Sequence, residues 1–239
     1  MTASQTARQL ARAELTRAIK EAATRQLAET GAAALSLRAV ARDLGLASSA
    51  LYRYFPSRDA LLTALIIDAF NAVGAAAESG AASAAPADPG TRWLAACRAV
   101  REWALVHPHE FALVYGSPVP GYRAPTDTVD PATRITRLMA GLVVEAHASG
   151  LLLPPAQPLP GPGLVTQQVL DSAGGAPAEP HADLVERSLT LWISLIGTIS
   201  FELFGHLNKV VTDHAAYFDA AMTIAAEAIG LRILPPPPA

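Results

Sequence analysis

The sequence contains a single cysteine, Cys97, so the chain cannot form an internal disulfide. Cys97 lies in an apolar helical pattern with Trp93, Leu94 and Val100, which favours a small core residue over a redox-sensing thiol. Residues Met1 to Arg12 are polar and lack the apolar stretch of a secretory or membrane-spanning start. These features are typical of a protein of the reducing cytoplasm, and we expect a cytoplasmic location.

Motifs of the common enzyme classes are also missing. The sequence has no G-x-S-x-G, no H-E-x-x-H, no nucleotide-binding loop and no paired-cysteine motif. His107 and His109 flank Pro108 at a predicted helix break, so they lack the helix-face spacing of metal ligands. We therefore expect no enzyme activity, no cofactor and no bound metal.

No segment alternates between apolar and polar residues as a half-buried strand does, so the sequence predicts an all-α fold. Clusters of proline and glycine separate the helical patterns. Beyond residue 56, the predicted helices cover 57–78, 91–106, 109–115, 132–149, 182–206 and 214–231. The predicted connections are 80–90, 116–131 and a Pro/Gly-rich, mobile segment at 153–180.

The most informative segment runs from Ser36 to Phe55. Its first half has apolar residues at helical spacing and ends at Gly45, where the chain must turn. A second short helix is predicted over Ser48 to Phe55, with Ser48 or Ser49 as its N-cap. Two short helices joined by a glycine turn form a helix-turn-helix, whose second helix enters the major groove of DNA.

The residues around this segment match a family pattern. They are Leu27-Ala28-Glu29-Thr30-Gly31, Ser36-Leu37-Arg38-x-Val40-Ala41, Gly45-Leu46, Leu51-Tyr52-Arg53-Tyr54-Phe55 and Ser57-Arg58-Asp59-x-Leu61-Leu62. Through them, the region from Leu10 to Phe70 resembles the TetR/AcrR family of bacterial transcriptional regulators. Arg58 departs from the pattern, since the family usually has lysine there. The resemblance implies an N-terminal three-helix DNA-binding domain and a larger helical domain for effector binding and dimerisation.

The charge distribution agrees with such a division. Residues 1–60 carry nine Lys or Arg and five Asp or Glu, a net charge of +4, which leaves −7 for the remainder of a chain whose total is −3. A basic head is typical of a domain that binds DNA. The predicted domains are 1–56 for DNA binding, 57–234 for effector binding and dimerisation, and 235–239 as a disordered Pro-rich tail.

Within the first domain, polar and aromatic side chains near the second short helix are candidate DNA contacts. Ser49, Tyr52 and Arg53 are expected to reach base edges, and Arg38, Ser48, Tyr54 and Arg58 are expected to contact phosphates. Ser36 adds backbone amides at a helix start. For Tyr54, core packing is an equal alternative, and Phe55 is expected to be a core residue.

Aromatic and polar residues of the second domain could line an apolar cavity for a small molecule. Each of them alone is more typical of a core residue than of a ligand contact. A ligand held there would move the helix from Ser57 to Glu78 and release DNA. The candidate residues are Phe70, Trp103, His107, Phe111, Tyr115, Met139, Val143, His147, Phe201 and Phe204.

The helix predicted over 182–206 is apolar on nearly every side and must be buried on every side. One side can face the domain core, and a second copy of the chain can cover the other. A membrane span is the rival interpretation, but the uncharged run covers only 188–201, shorter than the roughly 20 residues that a span needs. We therefore expect a homodimer formed through 182–206 and 214–231, and no membrane partner.

Together these expectations describe a dimeric repressor that binds a palindromic DNA operator and is released by an unidentified small apolar or aromatic effector. Its two recognition helices would lie about 34–36 Å apart, or a multiple of that distance. The alternative is a helix-turn-helix regulator that is controlled by a protein partner or acts without an effector. A tightly packed second domain without a cavity would favour that alternative.

Overall fold

The computed structural model describes residues 3–84, 86, 88–154, 163–172 and 181–234. Within these residues the regular structure is helical, apart from one isolated antiparallel bridge between Leu152 and Leu231. The predicted all-α class is therefore confirmed. By packing, the chain divides into two compact units: unit 1 is Met1–Asn71 with His107–Ala132, and unit 2 is Ala72–Val106 with Thr133–Ala239.

This division differs from the predicted domain boundary at residues 56 and 57. Residues 107–132 were expected in the second domain, but they pack with unit 1. The predicted boundary describes function rather than packing, and in that sense it stays a prediction. The predicted tail at 235–239 lies outside the described residues.

Unit 1 is built around a long first helix that ends at Gly31, where the backbone turns with φ of 78°. Because only glycine adopts that conformation without strain, this residue sets the helix end. The core of unit 1 contains the fully buried Ile19, Leu51, Leu61 and Leu62. The helices of unit 1 are α1 (Ala3–Thr30), α2 (Leu37–Asp43), α3 (Ser48–Leu51), the start of α4 (Arg58–Ser83), α6 (Pro108–Tyr115) and α7 (Val129–Ala132).

Unit 2 contains the rest of α4 and a set of helices packed on one another. Its core includes Trp93 and Val100 of α5 and Leu191 and Leu195 of α10, all with no exposed surface. The helices are α5 (Pro89–Val106), α8 (Arg134–Ala148), α9 (Gln167–Ser172), α10 (Leu184–Leu203) and α11 (His214–Ala228).

Cys97 lies in the core of unit 2, as the sequence predicted for a structural residue. Its side chain is fully buried, and this burial raises the pKa of the thiol well above its usual value. A thiol that is buried and protonated is a poor nucleophile, so the structure does not favour a redox sensor at this position.

Several predicted helix bounds were wrong. The segment 80–90 was expected to be a loop, but α4 continues to Ser83 and α5 begins at Pro89. Gly80 is a packing residue of this helix, because a Cβ atom there would lie 2.7 Å from the carbonyl oxygen of Ala95. A glycine that lets two helices approach closely was thus mistaken for a glycine that ends one.

Two predicted connections also contain helical turns. The segment 116–131 includes a 3₁₀ turn at Thr126–Thr128 and most of α7, and the segment 153–180 includes α9. Thr128 is buried, and its hydroxyl donates a hydrogen bond of 2.7 Å to the carbonyl oxygen of Pro125. Residues 155–162 and 173–180 of the expected mobile segment lie outside the described residues.

Helices α4 and α10 are each long and apolar enough to cross a membrane by length and composition. The helical length of α10, 20 residues, therefore does not exclude a span, although the uncharged run alone is too short for one. In α4, 44% of the apolar window is buried within the protein, which is typical of a core helix; in α10 the figure is only 22%.

A largely buried ion pair fixes α10 to α5 in unit 2. The Arg101 guanidinium donates two hydrogen bonds to the Glu202 carboxylate, at 2.8 and 2.6 Å. Its central carbon also lies 5.5 Å from the ring centroid of Phe218 on α11. The hydrogen bond to Glu202 is the main cause that raises the pKa of Arg101. This side chain therefore joins three helices.

We expect Arg101→Met to lower the free energy of unfolding by about 2–3 kcal/mol, because it leaves the Glu202 carboxylate, which is only 10% exposed, without its hydrogen-bond donors and with only His214 Nδ1 nearby, at 3.9 Å. The matched control is Arg98→Met. Arg98 makes an equally short pair with Asp219, but those side chains are 52% and 37% exposed, against 15% and 10% for Arg101 and Glu202. The control should cost at most about 1 kcal/mol. Urea unfolding at one protein concentration measures both variants, and equal losses would contradict the assignment.

Candidate nucleic-acid interface

The α2–α3 pair has the connection expected of a helix-turn-helix. The hydroxyl of Ser36 accepts a hydrogen bond from the Ala39 amide at 3.4 Å and so caps α2. Gly45 has φ of 64°, which ends α2 and redirects the chain. The Leu46 amide then donates to the Ala41 carbonyl at 2.8 Å, and α3 begins two residues later.

The second helix is shorter than predicted and is capped differently. Regular α-helix covers Ser48–Leu51, and turns continue to Tyr54; we call Ser48–Tyr54 the recognition segment. Its N-cap is Ala47, with extended backbone and no side-chain hydrogen bond, so the prediction of Ser48 or Ser49 as the cap was wrong. Both serines already have helical backbone, which leaves their hydroxyls available for other partners.

Four of the side chains predicted to contact DNA are exposed, and no polar interaction holds them within the described residues. Arg38, Ser49, Tyr52 and Arg53 are all exposed, and within the described part of the chain none of their side chains makes a hydrogen bond or ion pair. The neighbouring Leu51 is fully buried in the unit 1 core. Its burial fixes α3 while these polar side chains remain available to the grooves and phosphates of DNA.

Tyr54 and Ser48 are half-buried, and Tyr54 packs against the unit 1 core. The guanidinium carbon of Arg12 lies 5.2 Å from the ring centroid of Tyr54, a cation–π contact. Arg12 belongs to α1 and was not among the predicted site residues. The surplus of basic residues in 1–60 was the available signal, but charge alone does not show which arginine lies beside the recognition segment.

Arg58 makes hydrogen bonds within unit 1, and its predicted phosphate contact stays a prediction. Its Nη2 atom donates to the carbonyl oxygens of Ala32 at 2.9 Å and Ala33 at 3.1 Å, and its Nε atom donates to that of Leu35 at 3.2 Å. While these bonds hold, the same donors cannot face a phosphate. No sequence pattern indicates this arrangement, because the partners are backbone atoms more than twenty residues away.

The predicted effector residues divide between the two units. In unit 1, the ring of Tyr115 lies 5.9 Å from that of Phe70 and 5.1 Å from that of Phe111, measured between centroids. Phe111 is fully buried, and burial raises the pKa of the Tyr115 hydroxyl. His107 occupies the N-cap position of α6 and pairs with Glu110 at 3.3 Å. The structure thus brings together three of the four candidates in this unit.

In unit 2 the remaining candidates do not form one wall. Met139 and Val143 are buried in α8, and Trp103 is half-buried. His147 is exposed and lies 4.9 Å from the ring of the buried His181. Phe201 and Phe204 are 55% and 50% exposed, so they do not line an enclosed cavity within this chain, contrary to the prediction.

Comparison with known proteins agrees with this architecture. Residues 19–65 match the family model described as bacterial regulatory proteins, tetR family, and residues 93–225 match a tetracyclin repressor-like C-terminal domain. The HTH-type transcriptional regulators Mb1846 of Mycobacterium bovis and Rv1816 of Mycobacterium tuberculosis are each 37% identical over 212 residues. These alignments cover 88% of this chain and 90% of each relative. The chain belongs to the TetR family.

Solved structures of related proteins share the fold over nearly the whole chain. The regulatory protein SCO4313 is 32% identical with a TM-score of 0.69, and the alignment covers 92% of this chain and 98% of that one. A protein of unknown function from Rhodococcus sp. RHA1 is 26% identical with a TM-score of 0.68, covering 90% and 95% of the two chains. This TetR-family protein is a DNA-binding transcriptional regulator. Regulators of this family bind DNA operators and act as dimers.

We expect Arg53→Ala to lower operator affinity much more than non-specific affinity, because an exposed arginine on the recognition segment contributes about 1–3 kcal/mol through base contacts. The exposed Arg232 lies in unit 2 and is the matched control, so Arg232→Ala should leave the ratio of the two affinities unchanged. Competition gel shifts with operator and unrelated DNA measure the ratio. An equal loss on both DNAs would remove Arg53 from the base-contacting set.

Proposed function

We propose that this TetR-family regulator is a cytoplasmic, dimeric repressor that binds a palindromic operator and is released by a small apolar or aromatic effector. The observation that carries the proposal is a set of exposed side chains on α2 and the recognition segment that make no hydrogen bond or ion pair within the described residues. They are Arg38, Ser49, Tyr52 and Arg53. Two such sets, related by a two-fold axis, would contact two identical half-sites.

The proposed dimer forms through α10 and α11. Apolar side chains on these helices are exposed within one chain: Ile193 is 59% exposed and Ile224 is 67% exposed. A Cβ atom at Gly197 would meet no atom of the described residues within 4 Å, so this face of α10 is open to a second helix. A second copy of the chain would remove this apolar surface from water, which favours association.

Ile193→Asp should convert the dimer to a monomer, because a second copy would have to bury its unpaired carboxylate. Loss of the dimer should lower operator affinity, since one recognition segment then binds alone. Val144→Asp on α8 is the matched control, because Val144 is apolar and 55% exposed but lies outside α10 and α11. Light scattering coupled to size exclusion measures the mass, and a dimeric Ile193→Asp variant would contradict the proposed interface.

The aromatic cluster of Phe70, Phe111 and Tyr115 supports the effector proposal. Tyr115 is half-buried, and in the part of the chain that the structure describes its hydroxyl makes no hydrogen bond. An effector with a polar group could form a hydrogen bond with this hydroxyl while its apolar part packs on the neighbouring rings. Control by a protein partner, without any small molecule, is the alternative function.

The first test of the proposed function is a gel shift on the DNA that flanks the gene, with non-specific competitor at two salt concentrations. A discrete complex with two chains per palindrome is the expected result. Mass spectrometry of the denatured preparation then detects any small molecule that was purified with the protein. Removal of such a molecule should increase operator affinity; an unchanged affinity would favour the protein-partner alternative.

A further inference from the structure

Arg58 joins the start of α4 to the segment that precedes α2. Its guanidinium donates to the carbonyl oxygens of Ala32, Ala33 and Leu35. Ala32 and Ala33 belong to the 3₁₀ turn Ala32–Ala34, which ends just before Leu35 and the Ser36 cap. The Ala32 carbonyl also accepts from the Leu35 amide at 3.3 Å, whereas carbonyl groups at the end of a helical turn need partners from elsewhere, and Arg58 supplies them to Ala33 and Leu35.

The segment that Arg58 holds sets the position of α2. The Ser36 amide, at its far end, donates to the side-chain oxygen of Gln26 on α1 at 3.1 Å. The side chains of Leu35 and Leu37 on either side of Ser36 are buried in the unit 1 core. Three contacts therefore fix this segment: one from α4, one from α1 and one from the core.

From this geometry we infer that Arg58 is a positioning residue for DNA binding rather than a phosphate contact. Its hydrogen bonds hold the 32–35 segment, which fixes the start of α2 and with it the exposed Arg38. Since α2 packs against α3, the same bonds also fix the recognition segment. This inference depends on operator binding by the family fold and does not depend on the proposed effector or dimer interface.

The shape of the arginine side chain suits this role better than lysine. A guanidinium is planar and has donors that point in several fixed directions, so it reaches the carbonyl groups of Ala32, Ala33 and Leu35 at once. A lysine ammonium places its charge at a single atom. The Asp59 carboxylate lies 3.4 Å from the Nη1 atom of Arg58 and offsets part of the positive charge that a phosphate would meet.

The test is the salt dependence of operator binding by full-length Arg58→Met. This variant keeps much of the apolar stem but removes every donor. We expect operator affinity to fall about tenfold, because a tenfold change corresponds to the free energy of about one charge-assisted hydrogen bond. The slope of log affinity against log salt should stay within about 0.5 of the wild-type value. Loss of one phosphate contact per chain would instead reduce the slope by about 1.8 for a dimer, and that result would overturn the inference.

Arg38→Met is the comparison variant, because Arg38 is a predicted phosphate contact and its loss should reduce the slope. The slope measured for Arg58→Met then decides whether Arg58 is a positioning residue or a phosphate contact. Hydrogen exchange gives a second measurement. Amides of residues 34–39 should exchange faster in Arg58→Met, while those of α1 keep their protection. If the folded variant binds operator with wild-type affinity, Arg58 contributes only to folding, and the positioning role is wrong.

Arg58→Lys keeps the test decisive if Arg58→Met does not fold. Lysine is a good phosphate ligand, so a phosphate contact predicts wild-type affinity and slope for Arg58→Lys. The positioning role predicts a loss of several-fold in affinity at unchanged slope, because one ammonium cannot replace all three hydrogen bonds. Wild-type affinity in Arg58→Lys would overturn the inference.

Discussion

Burial of Leu51 is the interaction on which DNA recognition by this chain depends. The α3 helix has only four residues, far fewer than an isolated helix needs to be stable in water. Its conformation therefore comes from packing: Leu51 has no exposed surface, and Phe55 closes the same side of the segment against the unit 1 core. The neighbouring side chains Tyr52 and Arg53 are presented to solvent because the residues on both sides of them are held inward.

Unit 2 depends on a different balance of forces. Helix α10 is apolar on most sides, yet it carries Glu202 near its end, paired with Arg101 inside the unit. An apolar helix can rotate or slide with little loss of contact, whereas a bidentate ion pair has one favoured geometry. The pair thus adds a fixed geometry to the face of α10 that Leu191, Leu195 and Ile199 bury, and Ile193 on another face is left exposed.

The fold was predicted best where the helical spacing of apolar residues agrees with the positions of turn-forming and capping residues. The glycine turn at Gly45 was predicted from residue type, because its positive φ has a local backbone cause. The role of Gly80 was missed, because a glycine that permits close helix packing looks the same in sequence as one that ends a helix. The hydrogen bonds of Arg58 to backbone carbonyl groups were not predicted, because the residue type indicates its charge but not acceptors more than twenty residues away in the chain.

The candidate effector residues show the same limit. Phe111 was expected to face inward and does so, since aromatic residues at helical spacing predict burial well. Phe201 and Phe204 are also phenylalanines in a helical pattern, but their side chains are exposed. Phe201 lies on α10, and Phe204 directly follows the end of that helix. Periodicity predicts that a face is apolar; it does not distinguish a face covered by the same chain from one left for another partner.

The lack of intramolecular polar bonds at four exposed side chains of α2 and the recognition segment has an evolutionary consequence. Because the side chains of Arg38, Ser49, Tyr52 and Arg53 make no hydrogen bond or ion pair within the described residues, replacing them removes no such bond from the fold. We therefore expect substitutions at these positions to be nearly neutral for folding and, under the proposed function, to act mainly on operator preference. After gene duplication, two copies of such a regulator can diverge toward separate promoters through changes at these positions while keeping the same scaffold.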